Sequence, residues 1–139
     1  MKAKATGHER LKQALALAET VKTVLVATAD SDGCPHVAAA GKIEALPDGR
    51  VAVSEWFCPG TVSNLGKNPR ISLVVWDSGT DAGYQLSGET EQVEESAFLN
   101  GYLPEGEGAR PLPQTRRRLT VRVIKLLAFS RAPHTDEMD

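Results

Sequence analysis

The stretch "VLVATADSDGCPHVAAAGKIEALPDGRVAVSE", residues 24–55, holds the pattern that decides the fold. It contains three apolar runs separated by two tight turns. The branched run Val21 to Thr28 reads as a largely buried strand. Asp30-Ser31-Asp32-Gly33 then turns the chain, because Asp and Gly tolerate tight backbone angles. Pro35 to Leu46 is a second strand, with Pro35 at its first position, where a missing N–H does no harm. Pro47-Asp48-Gly49 turns again, and Arg50 to Glu55 is a short third strand. Turns this short join antiparallel neighbours, whereas parallel strands need helix-length crossovers.

Working outward, His8 to Thr20 places Leu11, Leu15 and Ala18 on one helix face. Downstream of the three strands, Pro59-Gly60 breaks the chain and Thr61 to Lys67 is a short helix capped by Thr61. Arg70 to Trp76 is a fourth strand, Asp77 to Gly83 a loop, and Tyr84 to Val93 a fifth strand. Glu94 to Tyr102 is expected as a short helix, and the Pro- and Gly-rich Leu103 to Gln114 as a loop or arm. Thr115 to Ser130 forms the last strand, with Leu119, Val121 and Val123 on one side and Arg118, Thr120 and Arg122 on the other. The expected fold is mainly β (β+α): a six-stranded antiparallel split β-barrel with short flanking helices. One domain is expected over residues 1–139, with residues 1–6 and 131–139 as flexible ends.

Composition narrows the function. Hydrophobic residues make up 41% and charged residues 24%, as in ordinary globular domains. The net charge of −2 and the 5% aromatic content argue against nucleic acid as a partner, since that needs a clustered basic surface or stacking platforms. No stretch approaches the roughly 20 apolar residues of a membrane-spanning helix, so no membrane partner is expected. Cys34 and Cys58 stand apart, without a metal-ligand spacing, and no metal site is expected. The basic N-terminus lacks the apolar run of a signal peptide, and a cytoplasmic location is expected.

Four segments in this order carry a resemblance: "VLVATADSDGCPHV" (24–37), "DGRVAVSE" (48–55), "GTVSNLGKNPRISLVVWD" (60–77) and "GYQLSGETEQVEE" (83–95). Together with the closing strand "RLTVRVIKLLAFS", the chain resembles the pyridoxamine 5′-phosphate oxidase-like FMN-binding split-barrel superfamily, especially its small FMN-binding flavoproteins. The resemblance implies a homodimer with FMN at the subunit interface and a redox role toward a small-molecule substrate or electron donor. It also implies cofactor contacts from Ala38, Ala39, Ala40 and Gly41 on the second strand. Ser54, Glu55 and Trp56 would add contacts from the third strand, and Gly60, Thr61 and Ser63 from the helix start. Many members carry Lys or Arg where Gly60 or Thr61 stands, and oxidase-type members carry Arg at about Ala38 and Lys near Ile43. Their absence here argues against the pyridoxamine phosphate reaction itself.

The residues fit that implication in part. The small run Ala38 to Gly41 lets a flat ring approach backbone amides; it also suits a strand packed under a helix. Gly60, Thr61 and Ser63 can offer N–H groups and hydroxyls to a phosphate. Helix dipole and hydroxyl contribute only about 1–2 kcal/mol each. A cation would therefore help, and Arg70 or one of Arg116, Arg117 and Arg118 is available to supply it. No side chain stands out as catalytic. The rival reading is a non-catalytic or degenerate flavin-binding module, or a member that takes a deazaflavin or haem instead.

Overall fold

The computed structural model describes residues 7–56, 59–97 and 115–135; within them, side chains are described except at 55, 56, 96, 97, 115 and 116. Helix α1 (Gly7–Val21) is followed by strands β1 (Val24–Ala29), β2 (Pro35–Ala40) and β3 (Lys42–Ala45). A single 3-10 turn (Pro47–Gly49) leads into β4 (Arg50–Trp56), then helix α2 (Pro59–Leu65). Strands β5 (Arg70–Asp77), β6 (Ala82–Ala97) and β7 (Thr115–Ala128) complete the order.

All seven strands form one antiparallel sheet in the order β2-β1-β5-β6-β7-β4-β3. The two ends of that order, β2 and β3, are consecutive in the chain and separated only by Gly41. The sheet therefore curls until its edge strands meet at one residue. This is the split barrel expected from the sequence, with one correction. The second strand, expected unbroken from Pro35 to Leu46, bends at Gly41 and pairs with β1 on one side and β4 on the other. Among the described residues the sheet has seven strands where six were expected.

The barrel interior is lined by alternate residues of each strand. Val24, Val26, Val51, Val53, Leu73, Val75, Leu86, Leu119 and Val121 are all essentially sealed from solvent. Fully burying such a side chain contributes about 1.5–3 kcal/mol. Helix α1 closes part of the barrel with Ala14 and Ala18, small enough to bring its backbone close to the sheet, while Leu11 and Leu15 pack alongside. No described helix is long and apolar enough to cross a membrane.

Two further expectations are corrected. Helix α2 begins at Pro59, so Thr61 is its third residue and lies at 0% exposure rather than capping it. Proline suits a first helical position, because its missing N–H would be unpaired there anyway. Glu94 to Ala97, expected as helix, extends β6. The register sets Glu94 opposite Arg118 and Glu95 opposite Arg117, and Arg117 Nη2 donates to Glu95 Oε1 at 2.9 Å. Pairing with β7 outweighs the helix propensity of these residues. The remainder of that expected helix, and the arm from Leu103 to Gln114, lie outside the described residues.

The segment after β7 is bonded to the β5–β6 loop at its start. The Asp81 carboxylate accepts from the backbone N–H of Arg131 at 2.7 Å and of Ala132 at 2.9 Å, and from Trp76 Nε1 at 3.1 Å. Phe129 meets the Trp76 ring edge-on, and the Arg131 guanidinium lies 5.9 Å from its centroid. The Arg131 backbone donor, followed by the Ala132 N–H and the Trp76 indole, holds the Asp81 carboxyl below its ordinary value. With the folded value depressed, this clasp is fully formed above the unfolded carboxylate range and is lost as pH falls through the folded value. Acidification below about pH 4 should release the segment first. The check is amide exchange at Arg131 and Ala132 with pH: protection should fall before the sheet amides lose theirs, and equal loss would show no separate clasp.

Candidate functional site

The bend at Gly41 sets the geometry of the site. It brings the last residues of β2 next to β4, where Lys42 is opposite Ser54, while α2 packs over β1 and β2. Side chains of β2 alternate. Ala38 and Ala40 point inward opposite Val26 and Val24, half-buried and buried respectively. Ala39 points outward and is exposed, as is Gly41. A flat ligand on the outer side thus meets Ala39 and Gly41, while Ala38 and Ala40 serve the barrel. Ser54 is half-buried and sits between Lys42 and Arg118 by register. Glu55 and Trp56 continue β4 in backbone; their side chains lie outside the described residues.

Glycine at 41 is not demanded by the fold. It has no positive φ, and a Cβ added there would meet nothing within 4 Å. Gly60 is different. A Cβ there would lie 2.7 Å from His36 Nε2 and 3.2 Å from two ring carbons of the same imidazole. His36 is the inward residue of β2 next before Ala38, opposite the buried Thr28. Its Nδ1 is buried without a hydrogen-bond partner among the described residues. Beside it, Asn64 Nδ2 of α2 donates to Thr28 Oγ1 at 3.0 Å. Thr61 is sealed in the same layer, so it anchors α2, while Ser63 is exposed on the helix surface.

The structure therefore sets Gly60 and Thr61 against β2 and β1, leaves Ser63 on the exposed face of α2, and sets Ser54 near Gly41. It does not present all ten expected residues to one ligand surface. Sequence reading passed over His36 and Asn64 as part of the site. The available signal was position: His36 shares the inward period of β2 with Ala38 and Ala40 and is the polar residue among them.

Cations are also placed. Arg118 faces Ser54 across the β4–β7 pairing. Arg117 shares the inward period of Leu119 and is 13% exposed in its side chain, bonded to Glu95, with Nε and Nη1 buried and unpartnered among the described residues. Arg70 lies on the far side, in an open groove of about 530 Å³ shared with Lys125, Ser72 and Ser87. A larger cleft of about 640 Å³ between α1 and β3 has Gly41 in its wall, with Lys12, Lys22 and Lys42 around it. Volumes of several hundred Å³ accommodate small molecules. Among the described residues, no three His, Cys, Asp or Glu side chains converge as a metal would require.

Known proteins resemble this chain in sequence or in fold. An uncharacterized protein of Methanocaldococcus jannaschii is 25% identical over 117 residues, covering 83% of this chain and 78% of that protein. A pyridoxamine 5′-phosphate oxidase-related, FMN-binding protein from Nostoc punctiforme has a TM-score of 0.63 at 10% identity, over 96% of this chain and 89% of its own. HutZ, the haem storage protein of Vibrio cholerae, has a TM-score of 0.55 at 19% identity, over 87% of this chain and 93% of its own. At such identities these two structures establish the shared fold alone. The sequence pattern of pyridoxamine 5′-phosphate oxidase matches residues 11–127, from within α1 through nearly all of β7, and by that match the chain belongs to the pyridoxamine 5′-phosphate oxidase family.

Proposed function

We propose that the chain is an FMN-binding flavoprotein that exchanges electrons or hydride with a small molecule, as a cytoplasmic homodimer with its sites at the subunit interface. The observation that carries the reading is the bare corner at Gly41. The fold leaves open space there and asks for no glycine, inside a family whose name is a flavin oxidase's. Ala39 and Gly41 would take the ring, and their backbone groups would orient it and tune its reduction. Ser54, the Gly60 backbone and Ser63 would take the ribityl chain and phosphate, with Ala38, Ala40 and Thr61 fixing the walls behind. Glu55 and Trp56 complete the proposed site from the end of β4. Bound flavin supplies the redox chemistry; the chain supplies binding, orientation and exclusion of water. The exposed, free Cys34 suits a reducing compartment.

An FMN titration followed by flavin fluorescence tests the reading, together with the absorbance spectrum of the purified protein. Yellow protein and saturable quenching are expected; colourless protein that leaves FMN fluorescence unchanged overturns it. NADH and NADPH oxidation by the loaded protein then separates an enzyme from an electron carrier. Replacing Gly41 with leucine should weaken FMN binding by about tenfold or more, because the side chain occupies the ring's approach, while stability stays within about 0.5 kcal/mol. Equal loss of binding and stability would mean that the corner is structural.

The second reading is a related module that holds haem. It is favoured by the lack of Lys or Arg at Gly60 and Thr61, where a phosphate would be met. The same absorbance spectrum decides, since haem and flavin bands differ.

A further inference from the structure

We propose that His36 is a pH latch for helix α2: the neutral imidazole lets the helix seat on the barrel, and a proton on the ring lifts it. The inference goes beyond the flavin reading above and needs no ligand. Three observations carry it. First, the ring is part of the helix's seat. A Cβ placed on Gly60 would lie 2.7 Å from His36 Nε2 and 3.2 Å from two ring carbons, so the imidazole packs directly against the helix backbone. Second, Nδ1 of the same ring is buried and has no hydrogen-bond partner among the described residues. As a bare nitrogen it leaves one neutral acceptor unused. With a proton it becomes a charged donor, and a buried charged donor without an acceptor is far less favourable. Third, the groups packed around the ring are uncharged or already engaged. Thr28 stands opposite on β1, and its hydroxyl accepts from Asn64. Helix α2 itself, PGTVSNL, carries no charge. On the ring's own row, Ala38 follows two residues on and the exposed Cys34 lies two residues before. Asp30, just past β1, accepts from the Asp32 and Cys34 N–H groups. On β4, which also packs against β2, the inward row runs Val51, Val53 and then Glu55.

The helix is suited to such a device. With seven residues it is too short to persist unsupported. What seats it is small: the buried Thr61 and Leu65, the Asn64–Thr28 bond, and the ring under Gly60. Free imidazole takes its proton near pH 6.5. The seated ring has no place for a proton at Nδ1, so the undocked form binds more protons. Seating is therefore complete above the histidine range and weakens as pH falls through it. Because α2 carries Gly60 and Ser63, acid would also loosen a flavin held there; that consequence alone rests on the flavin reading.

Amide exchange on the full chain tests the latch without any ligand. Protection at Asn64, Leu65 and Gly66, corrected for intrinsic exchange, should fall by up to about 25-fold from pH 7 to pH 5, the most that one proton supplies when only the undocked ring binds it. Leu73, sealed in the barrel, should keep its protection over that range. His36→Gln, neutral at every pH, should show the same α2 protection at both pH values. His8→Gln and His134→Gln, which remove the two other histidines, should behave as the wild type does. If a melt shows that His36→Gln does not fold, the wild-type imidazole resonances decide: the His36 ring should gain its proton in step with the loss of α2 protection. Protection at α2 that stays constant, that falls equally in His36→Gln, or that persists while the ring titrates overturns the latch. Protection that rises on acidification overturns it as well, and is what Glu55 accepting from an Nδ1–H would produce. Failure to bind FMN is a separate result and bears on the flavin reading alone.

Discussion

Leu86→Ala should destabilise the protein by about 3–4 kcal/mol, in the upper part of the range for buried leucine truncations. Leu86 is completely buried and belongs to β6, the middle strand of seven. It stands directly opposite the equally buried Leu73 on β5 and faces Leu126 on β7. Truncation removes apolar surface from the centre of the barrel and leaves a void. The void cannot readily collapse, because β6 is hydrogen-bonded along both edges, and moving it inward would strain two ladders at once. In urea the midpoint should fall with an unchanged slope, since the surface exposed on unfolding is nearly the same. Ile124→Ala is the control: that side chain is 58% exposed, so its truncation should cost about 0.5 kcal/mol or less. A cost below about 1 kcal/mol at Leu86 would mean that the barrel interior is loosely packed.

How far the sequence discloses this molecule depends on the range of the interactions involved. The strands from Val24 to Trp56 and from Arg70 to Trp76 were legible, because period-two burial is written locally in the branched residues. The turn at Asp30 was legible for the same reason: the Asp30 side chain accepts from the Asp32 and Cys34 N–H groups, a bond contained within five residues. The break at Gly41 was not, since nothing near it marks a turn, and only closure of the sheet between β1 and β4 decides where the strand must bend. The same holds for Glu94 to Ala97, a helix by composition and a strand by its pairing with Arg118 to Thr115. For the site, Gly60 and Gly41 were found, but the reason at 60 was hidden. Close approach of His36 joins positions 24 residues apart and depends on α2 folding back over β2. Thr61 was misread as a cap because its burial is a tertiary fact.

The second large effect is expected at Gly88, where alanine should cost about 3 kcal/mol and lower the melting temperature by roughly 10 °C. A Cβ on Gly88 would sit 2.0 Å from the carbonyl oxygen of Arg122 and 2.9 Å from its carbon. These are backbone atoms of the paired strand, so no rotamer change relieves the overlap; β6 and β7 must separate. The site is built this way because the β6–β7 pairing carries two irregularities, one between Ser87 and Gly88 and one between Thr90 and Gln92. At the first, β7 has the extra residue: Ser87 pairs with Lys125 and Gly88 with Val123, so Ile124 is passed over. At the second, β6 has it: Thr90 pairs with Val121 and Gln92 with Thr120, so Glu91 is passed over. The insertions lie on opposite strands and cancel. A lone insertion would turn every later side chain to the wrong face, since the strand period is two. With both present, Leu86 pairs with Leu126 before the insertions and Val93 pairs with the buried Leu119 after them, and the two passed-over residues go outside. Ile124 is accordingly exposed despite being apolar, and Glu91 reaches Arg50 and Arg122 on the outer surface. Gly88 stands where the strands draw together after the first insertion. An alanine there must undo the insertion or prise the strands apart, and either choice disturbs the inward set of the two longest strands. Gly41→Ala, with open space around its Cβ, should leave the melting temperature within about 2 °C. If Gly88→Ala melts with Gly41→Ala, the close approach at Arg122 does not exist in solution, and the paired insertions lose their anchor.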